Sequence, residues 1–114
     1  MGFVVEGFHD ELKLLSVYPA AYVVVTKGTR FDKRVMMDVN KALLNCDKVF
    51  LLTDPDEAGD WLADRLSNEF PNLERMMLNP NECLSYRKNK VKVGVEHCSN
   101  KYLLSVLSQY LIAG

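Results

Sequence analysis

The sequence has 114 residues, 48% of them hydrophobic and 25% charged, which predicts one ordinary globular domain over residues 1–114. No apolar run reaches the ~20 residues that a membrane-spanning helix needs, and the start MGFVVEG is unlike a secretory signal. A net charge of −1 argues against a uniformly basic nucleic-acid-binding protein. Three cysteines without CxxC spacing argue against a disulfide framework or a structural zinc site. We therefore expect a cytoplasmic domain with no membrane partner.

Short apolar runs alternate with segments of helical periodicity along most of the chain. The short runs, rich in branched residues in the first three cases, predict strands at residues 3–6, 21–26, 48–53 and 74–78. Apolar residues three and four positions apart predict helices between them, at residues 9–17, 32–44 and 57–69. Asp32 is the expected N-cap of the second helix, and Pro71 ends the third.

The last third of the chain completes the predicted fold. Residues 79–90 are polar and predict a surface loop, and residues 91–96 predict a fifth short strand. Ser99 is the expected cap of a final helix. The alternation of strands and helices predicts an α/β fold, a Rossmann-like sheet of four to five mostly parallel strands with helices on both faces.

Acidic residues follow three of the predicted strands, most densely in the stretch LLTDPDEAGD at residues 51–60. Glu6 follows the first strand, and Asp54 and Asp56 follow the third. Glu96 ends the fifth. Because ligands of open α/β sheets gather at the carboxyl ends of the strands, we expect these carboxylates to converge. A group of carboxylates with no lysine between them to balance their charge favours a hard divalent cation with oxygen ligands, Mg²⁺ or alternatively Mn²⁺.

Simpler structural roles remain open for some of these charged residues. Asp56 could cap the helix that begins at Glu57, and Asp60 could be a first-turn acid that the helix dipole favours. The basic residues cluster in two segments, 27–34 and 87–92. Each segment is either a solvated loop or a surface that holds backbone phosphates by charge.

Two motifs in this order, VVEGFHD (residues 4–10) and LLTDPDEAGD, resemble the Toprim domain. Its signature is a glutamate-glycine after the first strand and a DxD after the third. This catalytic module is shared by DnaG-type primases, type IA and type II topoisomerases and several nucleases. The resemblance implies a Toprim fold and chemistry that depends on Mg²⁺.

Within this superfamily, TKGTRFDKRV (residues 26–35), LTDPD (52–56) and VGVEHCS (93–99) resemble the 5S ribosomal RNA maturation ribonucleases of the M5 type. The resemblance implies a metal-dependent endoribonuclease that acts on structured RNA, such as a 5S rRNA precursor, with a ribosomal protein as a further partner. Lys27 stands where that family usually has asparagine. The family also continues into a second domain, whereas this sequence ends at Gly114.

The resemblance and the acid pattern together assign expected roles to individual residues. The expected catalytic residues are Glu6, Asp54, Asp56 and Glu96. The expected metal ligands are Glu6, Asp54, Asp56 and Asp60. The expected nucleic-acid-binding residues are Lys27, Gly28, Arg87, Lys88, Lys90, Lys92 and His97. Whether Glu6 acts as a metal ligand or as a general base stays open at this point.

A protein of a different class also fits the sequence. Intact acidic residues show only that the chemistry is possible, so a non-catalytic Toprim module that binds nucleic acid or protein remains an alternative. Another Toprim nuclease or a primase-like protein is a further one. Mg²⁺-dependent cleavage of a structured RNA would separate the enzyme from the binding module.

Overall fold

Four of the apolar runs form one parallel sheet in the computed structural model, which describes residues 1–112. The strands are β1 (Gly2–Val5), β2 (Tyr22–Val25), β3 (Val49–Leu51) and β4 (Glu74–Arg75). Their order in the sheet is β2-β1-β3-β4, and every neighbouring pair is parallel. Phe3 of β1, for example, pairs with Val23 of β2 and with Phe50 of β3. The fourth strand is shorter than the predicted 74–78.

Four helices follow the strands, close to the predicted positions. They are α1 (Phe8–Val17), α2 (Lys33–Asn45), α3 (Glu57–Glu69) and α4 (Asn100–Ile112). The expected N-caps are confirmed, because Asp32 accepts the N–H of Val35 at 2.9 Å and Ser99 accepts the N–H of Tyr102 at 3.1 Å. Each cap satisfies a backbone donor that the first turn of a helix leaves unpaired.

The helices cover both faces of the sheet, because successive strand residues point to opposite sides. One layer packs α1 and α4 on the sheet through Phe3, Phe50, Leu52, Leu14, Leu103 and Leu107. The other layer packs α2 and α3 on the sheet through Val4, Val49, Leu51, Val39, Leu62 and Leu66. The predicted α/β sheet with helices on both faces is therefore confirmed.

The segment after β4 differs from the prediction. Residues 79–90 are not simply a loop, and residues 91–96 do not join the main sheet. Instead, β5 (Leu84–Arg87) and β6 (Lys90–Val93) pair antiparallel as a separate hairpin. Lys88 and Asn89 form its two-residue turn with φ of 47° and 63°, the positive values that a tight hairpin turn needs. Lysines and arginines at alternate positions made this hairpin resemble a polar loop in the sequence.

In the described residues, the helices are too short or too polar to cross a membrane, and the cysteines are unpaired. The free thiols are Cys46, Cys83 and Cys98. Residues 113–114 of the predicted domain lie outside the described residues, so the prediction of one domain over 1–114 stays a prediction.

Candidate functional site

The candidate site lies where the chain reverses its direction of progress across the sheet. From β1 the chain moves outward on one side to β2, and it then returns past β1 to β3 on the other side. The carboxyl ends of β1 and β3 are therefore the switch point at which open α/β sheets bind their ligands. Glu6 directly follows β1, and Asp54 lies three residues after β3.

Glu6 is almost fully buried and is held by hydrogen bonds on both sides. Its Oε2 accepts the backbone N–H of Asp54 at 2.7 Å, and its Oε1 accepts the hydroxyl of Thr29 at 3.3 Å. Burial, together with the negative charges of Asp54 and Asp56, raises the pKa of Glu6 to about 7. This carboxyl can therefore gain and lose a proton near neutral pH.

Asp54 links the end of β3 to the segment that follows the hairpin. Its Oδ1 accepts the backbone N–H of Val95 at 2.8 Å. Burial first, and then the charges of Asp56 and Glu96, raise the pKa of Asp54 above its ordinary value. The structure thus brings two of the predicted acids, Glu6 and Asp54, into one hydrogen-bonded unit.

Asp56 has the structural role that the sequence left open, and it also contributes charge to the site. Its Oδ1 accepts the N–H of Gly59 at 2.7 Å and caps α3. A Cβ atom on Gly59 would lie 1.9 Å from the carbonyl oxygen of Asp54, so only glycine allows α3 to start this close to β3. The spacing of Asp54, Asp56 and Gly59 in LLTDPDEAGD therefore has a packing reason as well as a chemical one.

Asp60 pairs with a cation that the sequence analysis did not identify. Its Oδ1 forms an ion pair of 2.6 Å with Nη1 of Arg75, at the end of β4. The Nη2 of Arg75 donates to the carbonyl oxygen of Asp54 at 3.3 Å. The side chain of Arg75 is only 17% exposed. Arg75 therefore joins α3 to the loop after β3, and no spacing in the sequence could have revealed this contact.

Asp10 is a site residue that the sequence analysis missed. Its Oδ2 accepts the N–H of Gly7 and its Oδ1 accepts the N–H of Glu96, each at 3.0 Å. Burial and the charge of Asp54 raise the pKa of Asp10 to about 6. Its place as the third residue of α1, from which an acid can accept the N–H of the N-cap residue Gly7, was the available signal.

Glu96 and His97 lie on a 3₁₀ turn, Val95–His97, and not at the end of a sheet strand as predicted. The carboxylate of Glu96 is partly exposed and contacts Nε2 of His97 at 3.3 Å. The backbone N–H of Glu96, rather than its side chain, is tied into the acid cluster through Asp10. The structure therefore places Glu96 at the rim of the site.

The expected phosphate-binding residues flank the acids in two places. Lys27 and Gly28 form a turn with φ of 62° and 100°, and the N–H of Gly28 donates to the carbonyl of Glu6 at 2.7 Å. In the hairpin, Arg87 lies opposite Lys90, and Ser85 lies opposite Lys92.

These pairs share one face of the hairpin, because paired residues point the same way and side chains alternate along each strand. We call this face the basic face and define it as Arg87, Lys90 and Lys92. Lys88 lies in the turn. An open cleft of about 280 Å³ is lined by Lys92 of this face and by Asp10, Asp54, Val93, Gly94, Glu96 and His97. The structure thus brings one end of the basic face to the acids.

The acids fit a divalent cation in their chemistry. Among residues 1–112, no three His, Cys, Asp or Glu side chains are gathered into a complete metal site. Asp54 and Asp56, however, each use Oδ1 to accept a backbone N–H, and in this part of the chain neither forms an ion pair with a lysine or arginine. Oxygen donors whose charges repel one another favour an oxygen-preferring cation such as Mg²⁺.

Comparison with known proteins identifies the family of the fold. The family model of the Toprim domain matches residues 2–83. The chain is 31% identical over 104 residues to Ribonuclease M5 of Bacillus anthracis, and the alignment covers 91% of the chain and 54% of that protein. It is also 31% identical over 96 residues to Ribonuclease M5 of Bacillus subtilis (strain 168), covering 84% of the chain and 50% of that protein. The chain thus spans about half the length of the curated relatives it matches.

A solved structure supports the fold. The small TOPRIM domain protein from Bacillus stearothermophilus superposes with a TM-score of 0.75 at 23% sequence identity, over 96% of this chain and 86% of that one. The parallel sheet, the switch-point acids and the family match all lead to one assignment: this chain belongs to the Toprim domain family.

Proposed function

We propose that this domain is a metal-dependent endoribonuclease module that hydrolyses phosphodiester bonds in structured RNA. The observation that carries the proposal is the hydrogen-bonded pair of Glu6 and Asp54 at the switch point, with Asp56 close enough to raise the pKa of Glu6. Within residues 1–112, no lysine or arginine forms an ion pair with any of these three acids. Their charge is therefore available for a divalent cation.

The role that we propose for each acid depends on which of its carboxylate oxygens already accepts a hydrogen bond. Asp54 and Asp56 would hold Mg²⁺, or Mn²⁺, through Oδ2, because the Oδ1 atom of each already accepts a backbone N–H. Such an ion, when bound, supplies a Lewis acid and a more acidic water. Glu6 would accept or return a proton at Oε1, because its contact with the hydroxyl of Thr29 is longer, at 3.3 Å, than the 2.7 Å hydrogen bond from the N–H of Asp54 to Oε2.

Asp10, Glu96 and Asp60 have supporting places in this scheme. Asp10 would keep the 3₁₀ turn and its Glu96 against the site through the 3.0 Å hydrogen bond to the N–H of Glu96. Glu96 and His97 at the rim would face the substrate. Asp60 would act through Arg75, which it pairs with at 2.6 Å, rather than as a direct ligand of the metal.

RNA is the proposed substrate because the curated relatives are ribonucleases and because the basic face borders the acid cleft. Phosphates held by Arg87, Lys90 and Lys92 on the hairpin, and by Lys27 near Glu6, would orient the backbone by charge without reading bases. A 5S rRNA precursor is the specific substrate we propose. The comparisons give no support for a ribosomal protein partner, and the proposal does not include one.

The deciding experiment is cleavage of a structured 5S rRNA precursor with Mg²⁺ by wild type, Glu6→Gln and Glu57→Gln. Glu6→Gln keeps the shape and should cut at least about 100-fold more slowly, the scale of losing a positioned acid–base group. Glu57 is exposed at the start of α3, and its substitution is the matched control, expected to cut at the wild-type rate.

Two results would contradict the proposal in different ways. Equal cleavage by wild type and Glu6→Gln would remove Glu6 from the chemistry. Tight RNA binding by the wild type without any cleavage, over a range of Mg²⁺ and Mn²⁺ concentrations, would instead identify a non-catalytic Toprim module.

A further inference from the structure

Three side chains form a stack on the surface beside the acid site. The guanidinium of Arg65 lies 4.6 Å from the ring centroid of Phe31 and 5.9 Å from that of Trp61. Trp61 and Arg65 are one turn apart on α3, so they share a helix side. Phe31 packs from the loop before α2. We call Phe31, Arg65 and Trp61 the aromatic stack.

The aromatic stack is accessible and carries a positive charge. Trp61 is 49% exposed, and Arg65 is exposed as well. Among the described residues, Arg65 forms no ion pair with a carboxylate, although Asp64 and Glu69 lie on the same helix. Its charge is therefore directed at the aromatic rings and at solvent. An exposed indole beside a guanidinium is a surface on which a nucleobase stacks.

The stack lies on the opposite side of the acids from the basic face. Trp61 follows Asp60 in the first part of α3, the helix that Asp56 caps. Phe31 ends the loop whose Thr29 and Gly28 bond to Glu6. Both elements belong to the layer of α2 and α3. The base of the hairpin belongs to the other layer, because Cys83 and Val93 pack with α1 and α4.

We propose that the aromatic stack binds an unpaired nucleobase of the RNA, next to the bond that the acids would cut. An RNA strand crossing the switch point would then be held by its phosphates on the basic face and by one base on Trp61. This inference rests on the proposed function, and it adds a preference for substrates with a single-stranded nucleotide beside the scissile bond. Stacking tolerates any base, so it provides positioning rather than sequence recognition.

The test uses the emission of Trp61, which is the single tryptophan of the chain. The probes are a single-stranded oligouridylate and an abasic oligomer of the same length, which keeps the phosphates and lacks the bases. Binding of the oligouridylate should quench Trp61 emission, and binding of the abasic oligomer should not. Trp61→Ala should weaken oligouridylate binding about tenfold, whereas Trp61→Phe should restore most of the affinity because it keeps a stacking ring.

A matched control is Leu104→Ala on α4, in the other layer, because Leu104 is 45% exposed and carries no ring. It should leave both affinities unchanged. If both oligomers bind equally and the Trp61 emission stays constant, the stack binds no base, while RNA binding by the basic face still stands. If neither oligomer binds although the structured 5S rRNA precursor does, the inference fails and the proposed function stands; if the precursor does not bind either, the proposed function fails as well.

Discussion

Glu6 and Asp54 are joined directly: Oε2 of Glu6 accepts the backbone N–H of Asp54 at 2.7 Å. The glutamate after β1 thus holds the main chain of the aspartate motif after β3 in place. Its buried carboxylate contributes charge to the site and also fixes the direction of the neighbouring acid. Changes that keep this hydrogen bond should therefore alter the chemistry of the site without unfolding the protein.

Metal binding should depend on Asp54 and Asp56 together. The double variant Asp54→Asn, Asp56→Asn keeps the acceptors for the N–H groups of Val95 and Gly59 but removes both charges. Mg²⁺ at about tenfold over its dissociation constant should raise the Tm of the wild type by roughly 5 °C and leave that of the variant unchanged. Thermal melts over a series of Mg²⁺ concentrations measure this.

Alanine at these positions would be a poorer choice. Asp56→Ala removes the cap of α3, which costs about 1 kcal/mol by itself and would obscure the effect of the metal. If the double asparagine variant shows the same Mg²⁺-dependent rise in Tm as the wild type, the ion binds elsewhere.

Without metal, the protein should lose stability as the pH rises from about 5 to about 8. The pKa of Glu6 rises from 4.5 to about 7 in the folded state, and that of Asp10 rises from 3.8 to about 6. The folded protein therefore binds more protons than the unfolded chain in this window, and its free energy of unfolding falls as these acids ionise. With EDTA present, Tm should be about 5 °C or more lower at the higher pH.

Glu6→Gln provides the check on this assignment, because glutamine keeps the acceptor oxygen and cannot ionise. The variant should show a smaller fall in Tm over the same pH range, and Mg²⁺ should flatten the wild-type curve by neutralising the acids. A wild-type Tm that rises with pH in EDTA would show that other groups dominate the linkage.

The sequence was sufficient for the parallel sheet and for the meeting of Glu6 with Asp54, because strand ends in such folds share one edge. It was insufficient for Asp10, since an acid in the first turn of a helix is common for its dipole alone. Nor did the sequence indicate which cation pairs with Asp60. That contact depends on β4 lying beside β3, which brings Arg75 to α3. The hairpin was missed because its basic face interrupts the apolar pattern.

Arg75 should be needed to position the loop that carries Asp54. Arg75→Ala removes the 2.6 Å ion pair to Asp60 and the hydrogen bond to the Asp54 carbonyl, and we expect a loss of about 1–3 kcal/mol in stability with weaker Mg²⁺ binding. Arg75→Lys keeps the charge but lacks the two donor nitrogens of the guanidinium. It should therefore recover only part of the stability and part of the Mg²⁺ affinity. Denaturant unfolding and Mg²⁺ titration measure the two effects separately.

Asp60→Asn distinguishes the two roles considered for Asp60. If Asp60 acts only as the partner of Arg75, Asp60→Asn should lower stability modestly and should change Mg²⁺ affinity less than Arg75→Ala does. If Asp60→Asn abolishes Mg²⁺ binding while Arg75→Ala leaves it intact, Asp60 is a metal ligand after all, as the sequence suggested.

The basic face of the hairpin should determine how RNA binding responds to salt. Lys90→Gln with Lys92→Gln removes two charges from the face that borders the acid cleft, while both positions stay in the strand. Each lost phosphate contact should reduce the slope of log affinity against log salt by about 0.7–0.9, so the double variant should lose roughly 1.5.

The matched control is Lys41→Gln with Lys101→Gln, two exposed lysines on α2 and α4, which should leave the slope near its wild-type value. Fluorescence anisotropy with a labelled RNA at several salt concentrations gives both slopes. If the hairpin variant and the control have the same slope, the phosphates bind to another surface, and the proposed path of the RNA across the switch point is wrong.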